Sequence, residues 1–335
     1  MGIVVPLALG NGVLALLLAA PGGAASGRAW GIELPAFIAP HLSGLAQQSG
    51  RLWVVLAGGT ALMVLGLLDD RRGLDWRIRL GVQALVAATI VLFEPRFRMT
   101  LFLEAPWLTS ALSVMWIVGL VNAFNMLDNM DGLSAGVASI ATAILAAVML
   151  LVPNPAQHPP QLFVGGFLLV LLGALLGFLW HNRPTARLFM GDAGSYLIGY
   201  LLAIATLTAT FAGQNVPPHA ILAPLCVLAV PLYDATTVVF IRLRQGRSPF
   251  VGDKSHFSHR LVELGMTKTQ AVLTIYLATA TCGLGAFLLH EVDTAGACVV
   301  LLLVGCNLVL VAILETAGRS LRVPAEDKDP EHGSK

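Results

Sequence analysis

Ten apolar runs follow one another along the chain, each long enough to cross a bilayer as an α-helix. Such a helix needs about 18 to 20 apolar residues to span the roughly 30 Å hydrocarbon layer. The runs lie near residues 3–20, 51–68, 77–93, 108–127, 133–152, 162–180, 194–211, 219–241, 270–290 and 295–315. Only 12% of the 335 residues are charged, whereas soluble domains carry about 25%. We therefore expect an all-α polytopic membrane protein with about ten transmembrane helices.

The basic residues divide unevenly between the two sets of loops that ten spans would create. One set, near residues 69–79, 181–193, 242–269 and after 316, holds all but four of the 20 Lys and Arg residues. The other four are Arg28, Arg51, Arg96 and Arg98. Because basic loops remain on the cytoplasmic side, the first set and both termini are predicted to be cytoplasmic.

The domain organisation predicted from this pattern is simple. Residues 1–317 are expected to form one transmembrane domain, and the charged segment 318–335 is expected to be a disordered cytoplasmic tail. The net charge is +1, and no basic patch is interleaved with aromatic residues, so binding to nucleic acid is not predicted.

The first polar cluster is a pair of adjacent carboxylates, Asp69 and Asp70, where an apolar run ends. Two readings remain open for this pair. It is either a charge cluster at the membrane interface or part of a site that handles charged substrates.

The second cluster follows the run at 108–127 and contains Asn122, Asn125, Asp128 and Asp131. Polar groups in hydrocarbon are costly unless they find partners. A spacing of three would distribute these four side chains over about half the circumference of a helix, if the helix continues that far. Oxygen ligands without thiols or imidazoles suit a hard cation such as Mg²⁺. Helix packing or capping is the alternative explanation.

Two further clusters occur later in the chain. Asp192 lies between two glycines, Gly191 and Gly194, just before another apolar run, where it could face a phosphate or simply cap a helix. The long loop that follows residue 241 contains His256, His259 and Arg260, and such cations and imidazoles can hold a pyrophosphate. Zinc binding by the His-x-x-His pair is an open alternative, although no suitable third ligand is evident nearby.

All four clusters are predicted to share one membrane face, and together they indicate phosphoryl transfer assisted by a cation. One substrate would be soluble and the other a lipid. An ion-coupled transporter is the rival hypothesis, since intramembrane carboxylates often mark ion paths. A transporter would instead place polar residues near the bilayer midplane.

The motifs and their order resemble those of the polyprenyl-phosphate N-acetylhexosamine-1-phosphate transferases, glycosyltransferase family 4. The resemblance rests on the Asp69-Asp70 pair, the Asn-x-x-Asn-x-x-Asp-x-x-Asp-Gly-Leu string from Asn122, Phe-Met-Gly-Asp-x-Gly-Ser from Phe189, and the loop that begins at Asp253. It covers roughly residues 1–290. It implies transfer of a sugar 1-phosphate, GlcNAc-1-P being the expected group, from a UDP-N-acetylhexosamine to undecaprenyl phosphate with release of UMP.

Two branches share these motifs, and this chain is closer to the WecA-like branch, which primes cell-envelope polysaccharides. The phospho-MurNAc-pentapeptide transferases of peptidoglycan synthesis are the alternative. They have a lysine where this chain has Gly73, and three consecutive histidines in the last loop. Ser258 replaces a histidine of the family pattern, Lys254 an arginine and Asn129 the more common glycine. The family also usually begins with one further span, and the resemblance implies that this chain opens just after it. A truncated start and a missing helix are the two alternatives.

The resemblance also implies roles for individual residues. The predicted catalytic residues are Asp69, Asp70, Asp128 and Asp131. The predicted substrate-binding residues are Asn122, Asn125, His256, His259 and Arg260. Asp192 and Asn125 are predicted to bind Mg²⁺ or Mn²⁺. The expected partners are a polyprenyl phosphate lipid and a UDP-N-acetylhexosamine, in the inner membrane with the active site cytoplasmic, and a homodimer is left open.

Overall fold

The fold was analysed in a computed structural model, which describes residues 28–29, 32–33, 42–99, 105–151, 161–209, 217–250 and 255–320. Apart from two paired two-residue strands, β1 (Arg28–Ala29) and β2 (Ile32–Glu33), the regular secondary structure of the described residues is helical. The helices are α1 (Leu42–Arg72), α2 (Trp76–Phe93), α3 (Pro106–Leu127), α4 (Leu133–Leu151), α5 (Leu162–Asn182), α6 (Gly191–Thr208), α7 (Ala223–Val227), α8 (Ala229–Arg244), α9 (Phe257–Glu263), α10 (Lys268–Glu291) and α11 (Thr294–Ser320). Short 3₁₀ helices cover Pro95–Phe97 and Pro218–Leu222.

The prediction of an all-helical membrane protein is confirmed, but the expected count of about ten spans is not reached within the described residues. Seven helices there are long and apolar enough to cross a membrane, or eight if one bent pair is counted as a span. The predicted span 3–20 lies outside the described residues. The predicted span 194–211 is present as α6, which carries Asp192 in its first turn and is not among the seven.

The predicted span 219–241 is broken, because Pro218–Val227 and Ala229–Arg244 are inclined at 67° to each other. Pro231 has no N–H, so the carbonyl of Val227 loses the donor that a continuous helix would supply. The break falls at Leu228, between these two residues. The predicted tail begins at residue 318, whereas α11 extends to Ser320, and residues 321–335 lie outside the described part of the chain.

Helix α6 lies at the centre of the bundle and packs along α1 and α3. Its residues from Ser195 to Leu207 are all buried. Two glycines allow the close approach of backbones. A Cβ on Gly66 of α1 would lie 2.5 Å from the Ala193 nitrogen, and a Cβ on Gly199 would lie 2.5 Å from the Leu120 carbonyl oxygen of α3. The start of α6 is thereby fixed against the end of α1.

We expect Gly199→Ala to destabilise the bundle, because the added methyl group would collide with backbone atoms of α3 that cannot rotate away. Overpacking of this kind costs about 1 to 3 kcal/mol. Gly119→Ala is the matched control, since a Cβ at Gly119 meets nothing within 4 Å and alanine favours helix. Thermal unfolding in detergent should show a lower midpoint for Gly199→Ala alone. Equal midpoints for the two variants would contradict this close contact.

Candidate active site

The buried carboxylate of Asp69 joins three helices at one end of the bundle. It accepts hydrogen bonds from the Leu74 backbone N–H at 2.8 Å, from Arg79 Nη1 of α2 at 3.0 Å and from Tyr196 Oη of α6 at 2.9 Å. Gly73, with φ of 62°, ends α1 in the left-handed region and turns the chain back towards this carboxylate. Asp69 therefore fixes the turn between α1 and α2 and the position of α6.

Asp70 lies on the exposed side of the same turn and contacts the first residues of α6. Its carboxylate accepts hydrogen bonds from the backbone N–H groups of Asp192, at 2.9 Å, and Ala193, at 3.3 Å. A helix N-terminus has unpaired N–H groups and carries partial positive charge. Asp70 thus caps α6 from a neighbouring helix. Gly191, with φ of 62°, leaves room for this contact, since a Cβ there would lie 2.8 Å from Asp70 Oδ2.

Asp192 and Asn125, the two residues predicted to bind a metal, are in direct contact. Asn125 donates from its amide nitrogen to Asp192 Oδ1 at 2.6 Å and to Ser195 Oγ at 3.1 Å. Both bonds use the nitrogen, which leaves the Asn125 amide oxygen as a ligand atom for a cation. Ser195 is buried and was not singled out from the sequence, although it ends the motif that contains Asp192.

Asp128 completes a group of four carboxylates with Asp69, Asp70 and Asp192. It follows the last residue of α3, as the C-cap. Burial raises the pKa of the Asp128 carboxyl to about 7, and the negative charges of Asp192 and Asp70 add to this effect. A hydrogen bond from the Gly191 backbone acts in the opposite direction. The site therefore concentrates negative charge that a cation would offset.

The predicted fan of four polar residues on one helix is not formed, because α3 ends at Leu127. Asn122, on α3, donates to Gln83 Oε1 of α2 at 2.6 Å, between helices. Asp131, beyond the helix, accepts a hydrogen bond from the Ala186 backbone at 3.1 Å. Only Asn125 and Asp128 of the four join the Asp192 cluster. The assignment of Asn122 to substrate binding and of Asp131 to catalysis stays a prediction.

Asn182, the last residue of α5, was not predicted to be functional. It is buried, accepts from the Gly132 backbone N–H at 2.9 Å, and donates to the Leu188 carbonyl at 2.8 Å. It therefore holds together the segment after Asp131 and the segment before Asp192. An asparagine at the end of an otherwise apolar run was the signal in the sequence that could have identified it.

His256 is held by a carboxylate from the broken span. Its Nδ1 lies 3.0 Å from Asp234 Oδ2, and Asp234 Oδ1 accepts from the Phe257 backbone N–H at 2.6 Å. Both side chains are buried. A carboxylate on one ring nitrogen fixes the orientation of an imidazole and leaves the other nitrogen for a substrate. Asp234 thus orients His256, a role that the sequence did not reveal.

Arg260 and His259 occupy different environments. Arg260 is buried and forms an ion pair with Glu315 of α11, with Nη2 and Oε2 2.9 Å apart. His259 is half-buried, and its Nδ1 is 3.4 Å from Ser258 Oγ. The geometry favours His259 over Arg260 for direct contact with a substrate, and substrate binding by each stays a prediction. Asp253 and Lys254 lie outside the described residues.

Residues 256–260, here called the imidazole segment, are connected through Asn129 to the four carboxylates, here called the carboxylate cluster. The hydroxyl of the buried Ser258 donates to Asn129 Oδ1. Asn129 directly follows Asp128, so the segment with His256 and His259 lies beside the four carboxylates. Within the part of the chain that the structure covers, no three His, Cys, Asp or Glu side chains are arranged to hold a metal ion by themselves.

These features define the class of the protein: a polytopic membrane protein whose carboxylate, amide and imidazole residues converge at one end of a helical bundle. The chain belongs to glycosyl transferase family 4, whose model matches residues 52–210. The matched region contains all four carboxylates and ends after α6.

Named relatives agree with this membership. A probable undecaprenyl-phosphate N-acetylglucosaminyl 1-phosphate transferase of Bacillus subtilis is 32% identical over 248 residues, which cover 72% of this chain and 66% of the relative. A decaprenyl-phosphate N-acetylglucosaminephosphotransferase of Mycolicibacterium smegmatis is 34% identical over 288 residues, 79% of this chain and 68% of the relative. An undecaprenyl-phosphate alpha-N-acetylglucosaminyl 1-phosphate transferase of Escherichia coli K12 is 30% identical over 240 residues, 68% of this chain and 62% of the relative. The chain spans about two thirds of the length of these relatives.

The contact between Ser258 and Asn129 joins two departures from the family pattern, and we expect the two positions to be coupled. Ser258→His alone should lower the thermal unfolding midpoint, because Ser258 is 1% exposed and an overpacked core costs about 1 to 3 kcal/mol. Asn129→Gly removes the side chain that faces residue 258. The double variant Asn129→Gly/Ser258→His should therefore unfold at a midpoint close to that of the wild type. A double-mutant cycle measures this coupling. Strictly additive midpoint changes would contradict it.

Proposed function

We propose that this chain transfers N-acetylglucosamine 1-phosphate from UDP-N-acetylglucosamine to a polyprenyl phosphate, releasing UMP. The product is a polyprenyl-diphospho-sugar that primes a cell-envelope polysaccharide. The named relatives support the sugar and the lipid class. The observation that carries the proposal is the convergence of four carboxylates and Asn125 at the start of α6, beside the imidazole segment.

The reaction that fits this site is direct displacement at phosphorus. An oxygen of the lipid phosphate forms a bond to the β-phosphorus of the UDP-sugar, and the bond from that phosphorus to the bridging oxygen of UMP breaks. A phosphate monoester has a second pKa of about 6, so the nucleophile is ionised at neutral pH and needs no base. Asp69 already accepts three hydrogen bonds. These bonds support a positioning role for Asp69 rather than proton abstraction or a covalent intermediate.

Asp70 and Asp192 act together in this proposal. Asp70 holds the N-terminus of α6, and the first turn of that helix carries Asp192. Asp192 and Asn125 are the proposed ligands of Mg²⁺ or Mn²⁺, with Asp128 next to them. Mg²⁺ commonly binds one or two carboxylates and completes its shell with water and substrate phosphates, which suits a site with few protein ligands. When bound, the cation would offset the charge of the pyrophosphate.

The imidazole segment is the proposed donor-binding element. His259 and the Nε2 atom of His256 would donate hydrogen bonds to the donor, with His256 oriented by Asp234. Losing one such bond to a charged phosphate costs about 1.5 to 3 kcal/mol. The proposed site faces the cytoplasm, since it lies at the same bundle end as the basic loops near 69–79 and 181–193.

The central experiment measures UMP release from purified protein with undecaprenyl phosphate, Mg²⁺ and a panel of UDP-sugars. UDP-N-acetylglucosamine should be turned over, and UDP-MurNAc-pentapeptide should be inert. Asp192→Asn should lower kcat/KM by about a hundredfold or more, because losing a charged ligand removes several kcal/mol of charge stabilisation. Asp293→Asn is the matched control, because this exposed carboxylate directly precedes α11 and accepts a hydrogen bond from the Gly296 backbone N–H.

Three results would count against the proposal. Turnover of the pentapeptide donor alone would reassign the chain to the peptidoglycan branch. Full activity in excess chelator would show that the reaction needs no cation. Full activity of folded Asp192→Asn would show that Asp192 is not a required ligand.

Metal affinity should depend on pH through Asp128, whose pKa is raised to about 7. Below pH 6 this carboxyl is mostly protonated and neutral, and above pH 8 it is ionised, so the affinity for Mn²⁺ should rise between these values. Titration of the purified protein with Mn²⁺, followed by electron paramagnetic resonance, checks this. Burial also raises the pKa of Asp192, to about 6, so Asp128→Asn should reduce the rise above pH 7 and leave a rise at lower pH. An equally steep rise above pH 7 in this variant would exclude Asp128 as its source.

A further inference from the structure

The short helix α9 is held at two positions one turn apart. His256 precedes its first residue, and the Arg260 backbone N–H donates to the His256 carbonyl at 3.0 Å. Residues separated by four lie on the same face of a helix. On that face, His256 contacts Asp234 of α8 and Arg260 contacts Glu315 of α11. Two membrane helices therefore each supply one carboxylate to α9.

The Arg260–Glu315 pair is buried and has further polar neighbours. Arg260 is 4% exposed and Glu315 is 6% exposed. Arg260 also donates to the Ser255 carbonyl and to Thr237 Oγ1, the latter at 3.3 Å. Tyr233 Oη donates to Glu315 Oε2 at 3.2 Å. A buried ion pair is stable only with good geometry and additional hydrogen bonds, and loss of one partner leaves an uncompensated charge.

The surroundings of the pair show why Glu315 matters for α9. Helix α11 packs mainly on α10. Where α11 faces α8, a cavity of about 600 Å³ separates Phe240 and Ile241 from Ala312. Packed side chains do not fill this space, and the Arg260–Glu315 ion pair at the cavity wall joins α11 to α9.

Helix α9 carries the residues that approach the carboxylate cluster. Ser258 bonds to Asn129, and His259 is the next residue. A small rotation of α9 would displace both, and a misplacement of about 1 Å can cost a hundredfold in rate. The anchoring contacts at His256 and Arg260 lie on the face that points to α8 and α11.

We propose that Glu315 is a positioning residue for the sugar-nucleotide donor: through Arg260 it fixes α9 so that His259 keeps its place beside the carboxylate cluster. The inference rests on the proposed function. It also changes the role of Arg260, which was predicted to bind substrate and here anchors α9. Glu315 lies outside the matched family region, which ends at residue 210, and outside the four sequence motifs.

The test compares Glu315→Gln, Glu315→Asp and the control Glu263→Gln, at an exposed carboxylate of α9 itself. UMP release gives KM for UDP-N-acetylglucosamine and for undecaprenyl phosphate separately. Glu315→Gln should raise the donor KM about tenfold and leave the lipid KM within about twofold. Glu315→Asp keeps the charge and should recover part of the donor affinity. Glu263→Gln should behave like the wild type.

Hydrogen–deuterium exchange tests the positioning independently of activity. Amides of residues 257–263 should exchange faster in Glu315→Gln than in the wild type or Glu263→Gln, while exchange in α1, α3 and α6 is unchanged. Unaltered exchange in 257–263, or faster exchange across the whole bundle, would overturn the proposal. An unchanged donor KM, or equal rises in donor and lipid KM, would also overturn it. If the wild type itself releases no UMP, the proposed function fails, and the exchange result alone decides the role of Glu315.

Discussion

At the end of α1, the Asp69 carboxylate accepts hydrogen bonds from the turn that follows it, from α2 and from α6. A buried carboxylate is costly unless such donors compensate it. Two of its donors follow closely in the sequence and the third, Tyr196, lies 127 residues away, so one side chain sets the positions of α1, α2 and α6 relative to one another. Asp70 is the adjacent residue and points to the N-terminus of α6. The two acids of one motif therefore have separate tasks: Asp69 joins the helices and Asp70 caps the helix that carries Asp192.

This arrangement depends on a glycine that none of the recognisable motifs contains. Gly66 lies three and four residues before the two acids, hence on the same face of α1. A Cβ at Gly66 would lie 2.5 Å from backbone atoms of Asp192 and Ala193. Any larger residue would push α6 away from α1 and lengthen the Asp70 contacts. Close backbone packing and the polar contacts thus require each other, and α6 is buried for most of its length as a result.

The sequence predicted the kinds of residue in the site better than their partners. Apolar runs were sufficient to predict a helical membrane protein, and the resemblance to the family led to the assignment of Asp192 and Asn125 to one site, where the two side chains are in contact. The fan from Asn122 to Asp131 failed because it assumed a helix that continues beyond Leu127. The residue at which a helix ends depends on tertiary contacts, here the contact of Asp128 with the segment that begins α6. Periodicity alone does not contain that information.

Partners far apart in the sequence were also beyond prediction. Gln83, Asn182 and Glu315 each lie in an apolar helix and look like isolated polar substitutions until the fold brings them to Asn122, Gly132 and Arg260. A polar residue in a membrane helix indicates that a partner exists, since an unpaired group is costly there. It does not identify that partner. The break at Leu228 was missed for a related reason, because proline is also tolerated in continuous membrane helices.

The contacts of α9 show how longer helices can hold a short helix in place. Seven residues form too few hydrogen bonds to make a stable helix alone. Asp234 and Glu315 compensate by bonding to His256 and Arg260 from two different helices, and Ser258 adds a third contact through Asn129. Each of these contacts uses a buried polar group that a neighbouring element supplies. In the proposed reaction the lipid substrate stays in the membrane and the nucleotide in water, so the two would meet at the boundary between them. Residues that hold α9 in place also bring the proposed donor-binding segment to the carboxylates.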